Sequence, residues 1–164
     1  MGRGYRADRT LVLIRHAKSD WSANAADLER PLNGRGQRQA PESGRWIAAN
    51  LEPIDRAVVS PAQRARSTWE LVAAELADPP PVSVDERVYT FEGRGLLPVV
   101  RGFDDSESVV ALVGHNPAME DFVELLTGSL IAMPTSCVAV IGWSGSWAEA
   151  GSGGRLLAHG RPPG

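Results

Sequence analysis

Cysteine is almost missing from this chain: Cys137 is the only one in 164 residues. No intrachain disulfide can form, a cysteine-based zinc site is excluded, and a reducing compartment is the simplest setting. Long apolar runs are missing too. The runs Leu11–Ile14 and Val109–Val113 fall far short of the ~20 residues of a membrane span. The apolar segment behind Arg3, Arg6 and Arg9 is too brief for a signal peptide. The expectation is a cytoplasmic protein with no membrane partner. There is no surplus of positive charge either, since 17 Lys+Arg face 20 Asp+Glu for a formal charge of −3. That balance argues against sequence-independent nucleic-acid binding, which needs a net basic face to displace counterions from phosphates. Lysine is reduced to Lys18, every other basic residue being arginine. Forked guanidinium groups suit bidentate contact with oxyanions, although a general codon preference gives the same composition.

What is present is enough for a core. With 43% hydrophobic residues, the chain can bury sufficient apolar surface without covalent staples, and its length fits one domain. The reading is a single domain over residues 1–164, its core about 10–158, with loose termini including the tail 161–164.

The run Leu11–Ile14 reads as a strand buried on both faces and stops at Arg15 and His16. Residues 21–31 read as a loop, and Asn33 as the cap of a helix over 35–51, with Pro41 predicting a bend or a later start. Residues 56–60 form a second short strand, followed by a helix over 62–77 whose Ala65, Trp69, Val72 and Leu76 keep helical spacing. Residues 82–84 read as a strand and 96–101 as a short helix. Val109–Val113 repeats the buried-strand pattern before Gly114 and His115, and Met119, Phe122, Val123 and Leu126 mark a further helix. Residues 137–143 and 147–158 read as two late strands around a Gly/Ser-rich turn.

Alternating strands and helices predict an α/β fold, a three-layer α/β/α sandwich with a mostly parallel sheet. Ligands in such sheets collect at the carboxyl ends of the strands. Arg15, His16, Ser60, Arg64 and His115 all follow apolar runs, so they become the candidate site. A neutral imidazole attacks phosphorus readily, and guanidinium forks match phosphoryl oxygens. His16 is therefore the candidate nucleophile, Arg15 and Arg64 the candidate clamp, and His115 a further donor. Lys18 adds positive charge at the same strand end. Trp46, Trp69, Trp143 and Trp147 read as packing residues, Trp21 as a border of the pocket, and His159 and Arg66 as solvated.

The segment from Leu11 to Ser19, with Arg15 and His16 at its centre, resembles the Arg-His-Gly signature of the histidine phosphatase superfamily. The blocks beginning at Arg30, Val59 and Val113 resemble its remaining motifs in the same order, over about residues 10 to 145. The combination is most similar to the SixA-like phosphohistidine phosphatase branch. The resemblance implies a phosphoglycerate mutase-like fold and catalysis with no metal or organic cofactor. It also implies a covalent phosphohistidine on His16, phosphate binding by Arg15 and Arg64, and His115 as the second pocket histidine. The substrate would be phosphohistidine on a protein or a small phosphomonoester. A non-catalytic phosphate-recognition module and a mutase-like phosphotransferase are the alternatives.

Ala17 stands where the family motif has glycine, so the turn here must use ordinary backbone angles. In the broader superfamily a carboxylate after the third strand donates a proton, and Glu86 is the best local match, with Asp20 and Glu92 as rivals. Loss of Glu86 is expected to damage phosphomonoester turnover more than phosphohistidine turnover.

Overall fold

The computed structural model describes residues 7–160, so the loose tail expected at 161–164 lies outside the described residues. Along them run β1 (Arg9–Arg15), α1 (Gly34–Asn50), β2 (Arg56–Val59), α2 (Gln63–Ala73), β3 (Val82–Val84), α3 (Leu97–Arg101), β4 (Val109–Gly114), α4 (Ala118–Thr127), β5 (Val138–Trp143) and β6 (Arg155–Gly160). The six strands form one sheet in the order β3-β2-β4-β1-β5-β6. The first four in that order are parallel, β5 is antiparallel to β1, and β6 is antiparallel to β5. The sheet is therefore mixed and mostly parallel.

Successive side chains of a strand leave by opposite faces, so a continuous apolar run feeds two cores. Leu11 and Leu13 join one cluster with Phe122 and Leu126 of α4, whereas Val12 and Ile14 join another with Ile47 of α1 and Trp69 of α2. Helices therefore cover both faces, giving the three expected layers.

Local chemistry explains where elements start and stop. The Asn33 side chain accepts from the Gly36 N–H at 2.9 Å and caps α1, which then runs through Pro41 without a later start. A Cβ on Gly36 would strike the backbone carbonyl of Lys18, so glycine is what lets α1 lie against the loop that follows β1. The second helix ends at Ala73, four residues before the expected limit, because Glu75 and Leu76 switch to bonds with the carbonyls three residues back. The last strand begins at Arg155, not at Trp147. Trp147 sits instead in a single 3-10 turn closed by a Ser146–Glu149 capping box, and its indole N–H donates to Glu107 O at 2.6 Å. It is fully buried, and Trp143 packs edge-to-face on it.

β1 and β4 are neighbours, yet the helix after β1 packs on one face of the sheet and the helix after β4 on the other. Chains that part in this way leave a crevice beyond the carboxyl ends of the two strands.

Candidate active site

Arg15 closes β1 and His16 follows it, with its backbone N–H donating to Gly114 O at 3.0 Å across to β4. His115 follows β4. The two imidazole centroids lie 5.2 Å apart, with the residues 7% and 1% exposed. Arg64, in the first turn of α2, is buried beside them. These four side chains, together with Lys18, line one pocket of about 490 Å³.

Nδ1 of His16 lies 2.7 Å from Ala17 O. A carbonyl can only accept, so Nδ1 carries the proton and Nε2 keeps its lone pair. The loop is held from several sides: Ala17 N–H donates to Thr68 Oγ1 at 2.9 Å and Lys18 N–H to Gln39 Oε1 at 3.0 Å. Ala17 uses ordinary angles; among the described residues the non-glycine position with positive φ is Ser136, at 66°. Its N–H donates to both Arg15 O and His16 O, and Ser43 of α1 bonds it in turn at 2.6 Å.

The arginines are fixed just as firmly. Arg15 donates to Met133 O at 3.1 Å, and the Asn116 amide donates to the same carbonyl at 2.9 Å and to Glu120 at 3.0 Å. Arg64 donates from Nη1 to Asp27 O at 2.7 Å and from Nη2 to Asp27 Oδ2 at 3.1 Å. Arg30 donates to Ser19 Oγ and to Asp27 Oδ1. Among the described residues, Nε of Arg15, Arg30 and Arg64 and Nδ1 of His115 are buried without a hydrogen-bond partner. Three guanidinium groups lining one pocket suit a multiply charged oxyanion, which their forked donors would hold at several points.

Burial pushes the His16 imidazole down to about 3, with the charges of His115, Arg64 and Arg15 adding to it against the Ala17 hydrogen bond. Burial, then Arg64, likewise pushes His115 down to about 4. Both rings are neutral at physiological pH. An unfolded imidazole titrates near 6.5, so below that pH the unfolded chain takes up protons that the folded one refuses. The stability contributed is complete above pH 6.5 and is lost as pH falls towards 4 and then 3. The unfolding free energy measured in urea should therefore fall steeply between pH 6.5 and 4, by up to about 1.4 kcal/mol per pH unit for each histidine, and His115→Asn should flatten that slope by about half.

Asp27 behaves differently. Hydrogen bonds from Tyr89, then from Arg64 and Arg30, hold its carboxyl at about 2, against desolvation, so it is ionised. It is the carboxylate among the residues lining the pocket. Glu86 is not, which corrects the sequence expectation. The turn Glu86–Val88 directs Val88 into the core and leaves Glu86 exposed, outside the pocket lining. Asp20, which accepts from Ser22, and Glu92 also lie outside that lining. Trp21 does border the pocket. Its ring lies over the Arg30 guanidinium at 3.6 Å, while His159 is exposed and meets Ala132 O at 2.9 Å. Among the described residues, no group of three or more His, Cys, Asp or Glu is arranged to hold a metal ion, and no helix is long and apolar enough to cross a membrane.

Sequence reasoning missed Asp27, Tyr89 and Phe91, placed Ser60 in the candidate site without a task, and gave Arg30 and Asn116 no role. Asp27 opens a short 3-10 turn with no periodic pattern in its sequence, and its importance comes from Arg64 and Tyr89, 37 and 62 residues away, joined by the nearby Arg30. Asn116 follows His115 directly, and the strand-end rule that found Arg15 and His115 reaches it as well.

The histidine phosphatase superfamily (branch 1) model matches residues 11–89. A Mycobacterium tuberculosis protein, the uncharacterized protein Rv1276c, is 32% identical over 147 residues, 83% of this chain and 90% of its own. The chain belongs to the histidine phosphatase superfamily. Within that superfamily its likeness is to the SixA-like branch. A structure from Nakamurella multipartitia, assigned as the phosphohistidine phosphatase SixA, matches with a TM-score of 0.84 at 27% identity, covering 95% of this chain and 97% of that one. A 2,3-bisphosphoglycerate-dependent phosphoglycerate mutase of Beijerinckia indica is 36% identical over 77 residues, only 44% of this chain and 36% of the mutase.

Proposed function

We propose that this chain hydrolyses phosphohistidine on a protein, without a metal, through a covalent phosphoryl group on His16. The phosphoryl oxygens sit among the donors of Arg15, Arg64 and His115, with Lys18 adding charge. Nε2 of His16 attacks phosphorus in line, the bond from phosphorus to the substrate's ring nitrogen breaks, and its electron pair stays on that nitrogen. Water then attacks the phosphorus, the bond to His16 breaks, and inorganic phosphate leaves. Most of the catalytic effect is positioning and charge stabilisation.

The observation that carries this choice of substrate is the state of Asp27. The carboxylate lining the pocket is ionised and already accepts from Tyr89, Arg64 and Arg30, so it holds no proton to give. An alkyl phosphate needs its leaving oxygen protonated, whereas the imidazole of a ring-protonated phosphohistidine departs as a neutral molecule. Mutase chemistry is disfavoured, since the mutase match stops at 36% of the mutase's length.

The test is a comparison of phosphohistidine peptide, phosphoserine peptide and an aryl phosphate in the presence of a chelator. Phosphohistidine should be preferred over phosphoserine by at least about a hundredfold, a difference of some 3 kcal/mol in barrier. Inertness towards phosphohistidine and aryl phosphate alike would leave a phosphate-recognition module. Glu86 takes no part in this scheme, so Glu86→Gln should hold kcat/KM within about twofold on every substrate, the size expected of a surface change.

A further inference from the structure

The mouth of the pocket is built differently from its floor. Trp21 is 76% exposed and Phe91 48% exposed, and both line the cavity that holds His16. Neither is loose: the Trp21 ring is stacked on Arg30, and Phe91 lies 5.7 Å from Tyr89 and 5.9 Å from His115, centroid to centroid. Asp27 belongs to the same rim, with its side chain 43% exposed. Among the described residues, Tyr89 and Arg64 engage its Oδ2, and Arg30 alone, at 3.2 Å, engages Oδ1. Oδ1 therefore keeps capacity for a further donor.

In-line displacement sends the leaving group away from the attacking nitrogen. With His16 on the buried floor, that direction is the mouth. A leaving group passing there meets two exposed aromatic faces and an ionised carboxylate. Such a set fits a flat ring that bears an N–H and carries positive charge.

We infer that Trp21, Phe91 and Asp27 form a leaving-group site for a protonated imidazole, a conclusion that rests on the phosphohistidine reading above and makes its recognition specific. The rings of Trp21 and Phe91 hold the imidazole plane, and Asp27 Oδ1 accepts from the ring nitrogen that bears no phosphorus. That hydrogen bond favours the ring-protonated substrate. When the bond from phosphorus to nitrogen breaks, the electron pair goes to the departing nitrogen, the proton stays on the other one, and neutral imidazole leaves with all charges balanced.

The experiment compares kcat/KM on three substrates: phosphohistidine peptide, an aryl phosphate with a ring but no N–H, and acetyl phosphate with neither. Inhibition by orthovanadate reports the integrity of the floor. Trp21→Ala and Phe91→Leu should each lower turnover of the two ring substrates about tenfold more than that of acetyl phosphate, with the vanadate inhibition measuring any loosening of the floor through Arg30 or His115. Asp27→Asn also loosens Arg64, so it lowers all three, but phosphohistidine should fall about tenfold further than the aryl phosphate. Unchanged substrate ratios in all three variants, with the wild type active on phosphohistidine, would overturn this inference alone. A wild type that hydrolyses acetyl phosphate but ignores phosphohistidine would overturn the functional reading and this inference with it.

Discussion

Alanine at position 16 should eliminate turnover, lowering kcat by about 10⁴-fold or more, the scale on which nucleophile deletions fall. Quenching the wild type during turnover should trap acid-labile, base-stable phosphate on the protein, and the variant should trap none. The backbone of residue 16 is held by hydrogen bonds from Ser136 and to Gly114 that do not involve its side chain, so the fold should survive. Orthovanadate should still bind, because Arg15, Arg64 and His115 remain. A variant that keeps both its turnover and its phosphoenzyme would remove His16 from the mechanism. One that binds vanadate but traps nothing separates covalent chemistry from mere phosphate recognition. The lone pair that the Ala17 carbonyl reserves on Nε2 is what this experiment deletes.

Arg64→Ala should cost about 10³-fold in kcat/KM, comparable to removing a guanidinium from other phosphoryl-transfer sites. Arg64→Lys should recover little of it. The side chain is 3% exposed, and its two Nη atoms, each carrying a second N–H, hold Asp27 at 2.7 and 3.1 Å. Only a fork can hold Asp27 and still offer a donor to phosphate; an ammonium cannot do both. The same substitution has an electrostatic signature. After burial, Arg64 is the next influence holding His115 down at about 4, so its removal should raise the His115 pKa, and NMR titration of the ring should show the rise. The acid-induced loss of stability would then span a narrower window below pH 6.5, since the folded and unfolded values have moved closer. An unshifted His115 together with undiminished turnover would mean that Arg64 does not face the site.

The fold was legible because β1 and β4 are buried on both faces and read as unbroken branched runs that stop at polar residues. Once strands were found, the rule about their carboxyl ends brought Arg15, His16 and His115 together without coordinates. Arg64 followed from the helix after β2. The failures share a cause. Glu86 was chosen for its position after a strand, but a three-residue turn decides its direction, and sequence carries little signal for which residue of such a turn faces inward. Asp27 is the mirror case. Nothing around it in sequence is periodic, and its partners Arg64 and Tyr89 lie 37 and 62 residues away. Trp147 reads from sequence as the start of the last strand, whereas the Ser146–Glu149 capping box fixes a turn there.

The division of the pocket between floor and rim has a consequence for how such a molecule diversifies. His16 and His115 are anchored to the two strands at the centre of the sheet, whose amides should exchange with solvent only on global unfolding. Trp21 and Asp27 ride on a surface loop, where insertions and substitutions are tolerated. Selection can therefore rewrite which partner is recognised by altering that loop, while the bond-breaking apparatus, being inseparable from the core, is inherited unchanged.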